Sequence, residues 1–89
     1  MNIEYRIMRI EDYKLGTKVQ LASKGGPVMT VTSLISGESK DPTVKTIFTA
    51  LETQSGGNSV GFAQCTWFNE KNEVKRDWFP IESLVIVND

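Results

Sequence analysis

Eighty-nine residues, 39% hydrophobic and 24% charged, specify one soluble globular domain at the small end of what can bury its own core. Ten basic against eleven acidic residues leave a formal charge of −1, so no global positive field gathers nucleic acid. The one cysteine, Cys65, cannot staple its own chain, and with no histidine the commonest general base, the usual metal ligand and the Ser-His and Cys-His pairs all go.

The beginning, MNIEYRIMRI, is broken by Glu4, Arg6 and Arg9, which interrupts a signal-type apolar stretch. The run Ile3-Tyr5-Ile7 alternates weakly, and Ile3 to Ile10 stays open between an edge strand and a helical turn. Glu11 and Asp12 are adjacent, so on a strand they point to opposite faces and cannot share a proton. Lys18-Val19-Gln20-Leu21 then alternates with period two, placing Val19 and Leu21 on one face.

SKGGPVMTV follows at residues 23–31. A Gly25-Gly26 pair reaches positive φ without Cβ strain, and Pro27 lacks a backbone donor, so it fits the first residue of a strand. A backbone anion nest helped by Lys24 is the functional reading. A turn joining two antiparallel strands explains the same residues more simply. The strand VMTVTSLI, residues 28–35, is expected to place Met29, Val31 and Ile35 on one face and Thr30, Thr32 and Leu34 on the other.

Residues 36–59 change character. SGESKDP reads as loop and TQSGGNS as a hairpin turn, while the β-branched residues of VKTIFTAL, 44–51, favour a strand between them. The segment is therefore expected to be an inserted hairpin. SVGFAQCTWF (59–68), residues 74–79 and residues 84–87 supply three further extended runs. About five strands separated by turn signals predict an all-β sandwich or small barrel. The longest apolar run near the end, Leu84-Val85-Ile86-Val87, is far too short to span a bilayer. Neither a GxxxxGK[ST] loop nor a GxGxxG is present to cradle phosphate. These residues predict a non-enzymatic cytoplasmic protein with no membrane segment, no metal and no cofactor.

Four stretches line up in order: LGTKVQL from Leu15, GGPVMTV from Gly25 to Val31, CTWF from Cys65 to Phe68, and FPIESL from Phe79 to Leu84. Together they resemble the YodC-like family of small bacterial proteins of uncharacterised function. The resemblance covers residues 13–85 apart from the insertion at 36–59. It implies a compact SH3-like β-barrel, and it offers no catalytic residue to carry over. Two departures stand out: Lys24 lengthens the serine-to-glycine turn, and the 36–59 connection is much longer than the family's.

The shared residues read mainly as packing. Met29 and Val31 pair on one strand, Cys65 and Trp67 on another, and Phe79, Pro80 and Leu84 form a last corner. Without a histidine to activate it, Cys65 reads as a small buried hydrophobe rather than a reactive thiol. Lys71, Lys75, Arg76 and Trp78 combine cations with an aromatic ring and are the candidate binding residues. Glu70, Glu73 and Asp77 interrupt their field, so nucleic acid is the lesser alternative. The leading expectation is an interaction module that docks a protein partner or itself. A homo-oligomer binding a small ligand between subunits is the other alternative. For self-association, Val60-Gly61-Phe62 is expected to pair with its symmetry mate.

Overall fold

A computed structural model describes residues 14–22 and 25–87. The strand-or-helix question at Ile3 to Ile10, and the turn containing Lys24, lie outside the described residues. Five strands form in chain order: β1 (Lys18–Leu21), β2 (Gly25–Ser36), β3 (Gly61–Phe68), β4 (Val74–Pro80) and β5 (Leu84–Ile86). A helix, α1 (Pro42–Ser55), separates β2 from β3, and a short 3-10 turn, Ile81–Ser83, leads into β5. The strands make one antiparallel sheet in the order β4-β3-β2-β1-β5. Among the described residues β4 and β5 do not pair with each other, so the sheet is open rather than closed into a barrel.

The helix corrects the expected hairpin insertion. β-Propensity favoured a strand here, but capping and helical spacing outweigh it. The Asp41 carboxylate accepts the Thr43 N–H at 2.8 Å, and Pro42 occupies the first turn, where a missing N–H costs nothing. Gly56 closes the helix in the left-handed region at φ 70°, its N–H bonded to the Glu52 carbonyl. The hydroxyls of Thr46 and Thr53 bond back to the carbonyls of Pro42 and Thr49, which gives these threonines a helical use. Val44, Ile47, Phe48 and Leu51 fall at the i, i+3, i+4, i+7 spacing of one helical face.

A bulge corrects the expected faces of β2. Val31 pairs with Cys65 and Leu34 with Ala63, whereas Ile35 pairs with Phe62, with the register slipping between Val31 and Ser33. One extra residue reverses the side-chain parity beyond it. Leu34 therefore joins Val31 on the main core face, and Ile35 crosses to the other side. The main core gathers Val19, Met29, Val31, Ala63, Cys65, Ile81 and Leu84, with Trp67 and Phe79 packed against it. Trp67 and Phe79 meet with ring centroids 6.1 Å apart. On the opposite face α1 covers Ile35 and Phe62, and the Phe48 ring meets Phe62 edge-on at 5.3 Å.

Gly25-Gly26 is not the link between β1 and β2 but the beginning of β2 itself. Val19 pairs with Met29 and Leu21 with Gly25, so Gly26, Pro27 and Val28 together face the single residue Gln20. Gly26 takes φ 77° in this irregularity, and its carbonyl accepts the Gln20 side-chain amide at 2.7 Å. The ladder lapses here, which is why Pro27 is tolerated inside β2.

Candidate binding site

The β3–β4 hairpin closes on a three-residue loop. Asn69 N–H donates to the Glu73 carbonyl at 3.0 Å and Asn72 N–H to the Asn69 carbonyl at 2.9 Å. Asn72 sits at φ 62°, and the Asn69 side-chain carbonyl also accepts the Lys71 and Glu73 N–H groups. This is a type I turn with an αL residue, for which asparagine is well suited. The turn is thus rigidly tied, and it projects one wall of an open hollow of about 720 Å³. Pro27, Trp67 and Phe68 give the hollow its apolar surface, and Lys71, Lys75, Glu70 and Glu73 give it charge of both signs.

The candidate binding residues do not form one surface. Lys71 and Lys75 line the hollow. Arg76 pairs with Thr66 and Trp78 with Gln64, which places both on the opposite face of the sheet. Neighbouring strand residues must alternate, so a cationic run within a strand divides between two sides. Sequence reasoning missed Pro27, Trp67 and Phe68 as lining residues. Phe68, 62% exposed, reaches the hollow from the last residue of β3, although strict alternation sets it on the face opposite Trp67.

The residues read as structural occupy these places. Met29, Val31, Cys65 and Leu84 are buried in the main core, Trp67 and Phe79 border it, and Gly25, Gly26 and Pro27 open β2. Cys65 is fully buried, and burial, with the Asp77 carboxylate adding to it, pushes its thiol up to about 11. The thiol stays protonated at neutral pH and shielded. A thiol reagent is expected to label Cys65 slowly in the native protein and rapidly in denaturant; equal rates would show β3 turned the other way.

Glu82, in the 3-10 turn, ties down the segment entering β3. Its carboxylate accepts the Ser59 hydroxyl at 2.6 Å and the Val60 N–H at 2.9 Å. Partial burial pushes this carboxyl up, but the bonds from Ser59, Val60 and its own backbone outweigh burial and hold it below the ordinary value. A carboxyl depressed on folding adds stability above its unfolded pKa, and that stability disappears as pH falls through the folded value. Glu82→Gln is expected to lose about 1 kcal/mol at neutral pH, given its solvent exposure. Urea titrations should show the variant and the wild type converging in strong acid; a constant difference would mean that the charge is irrelevant.

No helix among the described residues is long and apolar enough to cross a membrane. Comparison with curated proteins and with solved structures finds no match. Residues 14–84, from the approach to β1 through the first residue of β5, match a family described as uncharacterized small proteins, DUF2158. The match spans well over half of the sequence, and the chain belongs to the DUF2158 family.

Proposed function

We propose that this protein is a non-enzymatic interaction module, a half-barrel of SH3-like strand order that docks an extended protein segment in the hollow beside the β3–β4 turn. The observation that carries this reading is the hollow itself: Pro27, Trp67 and Phe68 offer apolar contact, and Lys71, Lys75, Glu70 and Glu73 surround it with both charges. Apolar contact with a few convergent polar groups suits peptide recognition, where aromatic anchors supply affinity and charges select the partner. The sheet order β4-β3-β2-β1-β5 and the 3-10 turn before β5 support the SH3-like reading. GGPVMTV and CTWF support a YodC-like branch of the family. A buried free thiol suits a reducing cytoplasm.

The test places a photo-crosslinking amino acid at position 68 and, as a control, at Ile47, an exposed residue of α1 away from the hollow. A discrete protein adduct at 68 that is absent at 47, and that disappears on Lys71→Glu with Lys75→Glu, supports docking in the hollow. Adducts of equal yield at both positions would overturn it. Crosslinks to nucleic acid at 68 would favour the nucleic-acid alternative instead.

A further inference from the structure

We propose that β4 is a dimerisation edge, pairing antiparallel with β4 of a second copy about a two-fold axis at Arg76. The pairing uses the side of β4 that faces away from β3, and it shares Lys75, but no other lining residue, with the hollow. It also replaces the expected route through Val60-Gly61-Phe62. Phe62 pairs with Ile35 on one side and Pro80 on the other, Gly61 pairs with Ser36, and the Val60 N–H and carbonyl are taken by the Glu82 carboxylate and the Gly37 N–H, so that segment offers little edge to a second copy.

The outward groups of β4 follow from its ladder. Asn69 N–H bonds the Glu73 carbonyl, and hydrogen-bonded pairs recur at every second residue of an antiparallel ladder. Lys75, Asp77 and Phe79 therefore turn their backbone groups toward β3, while Val74, Arg76 and Trp78 turn theirs outward. Two further observations agree. Pro80, which has no N–H, falls at an outward position, and the Trp78 N–H is taken at 2.8 Å by the Asp77 carboxylate rather than by β3. Among the described residues no strand pairs with this side of β4.

Charge then selects the register. An axis at Arg76 sets Lys75 opposite Asp77 of the second copy, twice over, on the face that also carries Trp67. It sets Val74, 56% exposed, opposite Trp78 of the second copy on the other face. An axis at Lys75 would oppose two lysines and set Glu73 against Asp77; one at Asp77 would oppose two aspartates. Opposite charges directly across an antiparallel pair stabilise it, and like charges destabilise it. Charges on an edge strand usually discourage pairing. Here the signs are self-complementary, so they exclude the registers centred on Lys75 and Asp77 and accept the one centred on Arg76, which keeps most of β4, Val74 to Trp78, within the pairing. On pairing, Asp77 releases the Trp78 N–H to the Val74 carbonyl of the second copy and turns to Lys75. The opposed Arg76 side chains are the unfavourable contact.

Sedimentation of the full chain at low salt, from micromolar to near-millimolar concentration, tests the proposal. The wild type is expected to enter a monomer–dimer equilibrium. Lys75→Asp alone and Asp77→Lys alone should each weaken it by about tenfold, since each converts two attractive pairs into repulsive ones. The double swap Lys75→Asp with Asp77→Lys should restore it, and Arg76→Thr should tighten it. All these side chains are exposed, and circular dichroism at low concentration confirms that each variant is folded. A wild type that stays monomeric throughout overturns the proposal, as does a swap that fails to restore association. Stronger association of Asp77→Lys than of the wild type also overturns it, showing that Asp77 guards the edge instead.

Discussion

Phe62→Ala is expected to release α1 from the sheet and to destabilise the domain by about 3–5 kcal/mol, a large part of the ~5–15 kcal/mol that holds a small domain together. Phe62 is 1% exposed, yet it stands outside the main core cluster, on the face that α1 covers. No residue of α1 is fully buried, so the helix depends on a half-buried stripe in which Phe48 meets Phe62. A helix of 14 residues is marginal alone in water, and losing the ring beneath it removes its principal anchor. Far-UV circular dichroism should show helical signal melting before the sheet, and amide exchange should accelerate across 42–55 first. Uniform melting with the helical signal intact would show that α1 is held by other contacts. Gly37 reports on the same seam, because a Cβ there would lie 2.8 Å from the Phe48 ring. Gly37→Ala should therefore destabilise wild type by about 1–3 kcal/mol and have little effect once Phe48 is alanine.

This seam is also where the sequence was hardest to read. Period-two alternation located β1 at residues 18–21, and short runs rich in β-forming residues located β4 from 74 and β5 from 84. Strand positions are legible because apolar alternation and turn residues are both local signals. The helix was obscured by its threonines and β-branched residues, which favour strands in isolation. Its evidence lay in two local features instead, the Asp41-Pro42 start and the Gly56 stop, and in the four-residue apolar spacing between them. The bulge in β2 was illegible for a different reason. Nothing in VTS marks an extra residue, and Thr32 reveals its place only through bonds to β3, where its hydroxyl meets the Gln64 carbonyl and the Thr66 hydroxyl. The candidate site was half legible. Cations and aromatics between 69 and 79 did mark the hairpin that walls the hollow, but Pro27 reaches it from a strand remote in sequence. Such a neighbour follows from register, and register here was shifted by the bulges.

Gly26→Val is expected to destabilise the domain by about 1–3 kcal/mol through backbone strain alone. Gly26 holds φ 77°, a conformation that a β-branched side chain resists, while a Cβ built there meets nothing within 4 Å. With no steric neighbour, the substitution isolates the conformational term, and a graded series follows. Asparagine tolerates the left-handed region best, alanine less and valine least, so melting temperature should fall in the order Asn, Ala, Val. Gln20→Ala removes the 2.7 Å bond to the Gly26 carbonyl and should loosen the same irregularity by about 1 kcal/mol. Lys75→Glu with Arg76→Glu, on exposed side chains, should leave the monomer's stability within about 0.5 kcal/mol at low concentration. A valine variant that melts with wild type would show that β2 relaxes to an ordinary extended conformation at residue 26. The three residues facing Gln20 would then be a preference of the loop rather than a requirement of the fold. A charge variant that unfolds would instead give Lys75 and Arg76 a structural role that their exposure denies.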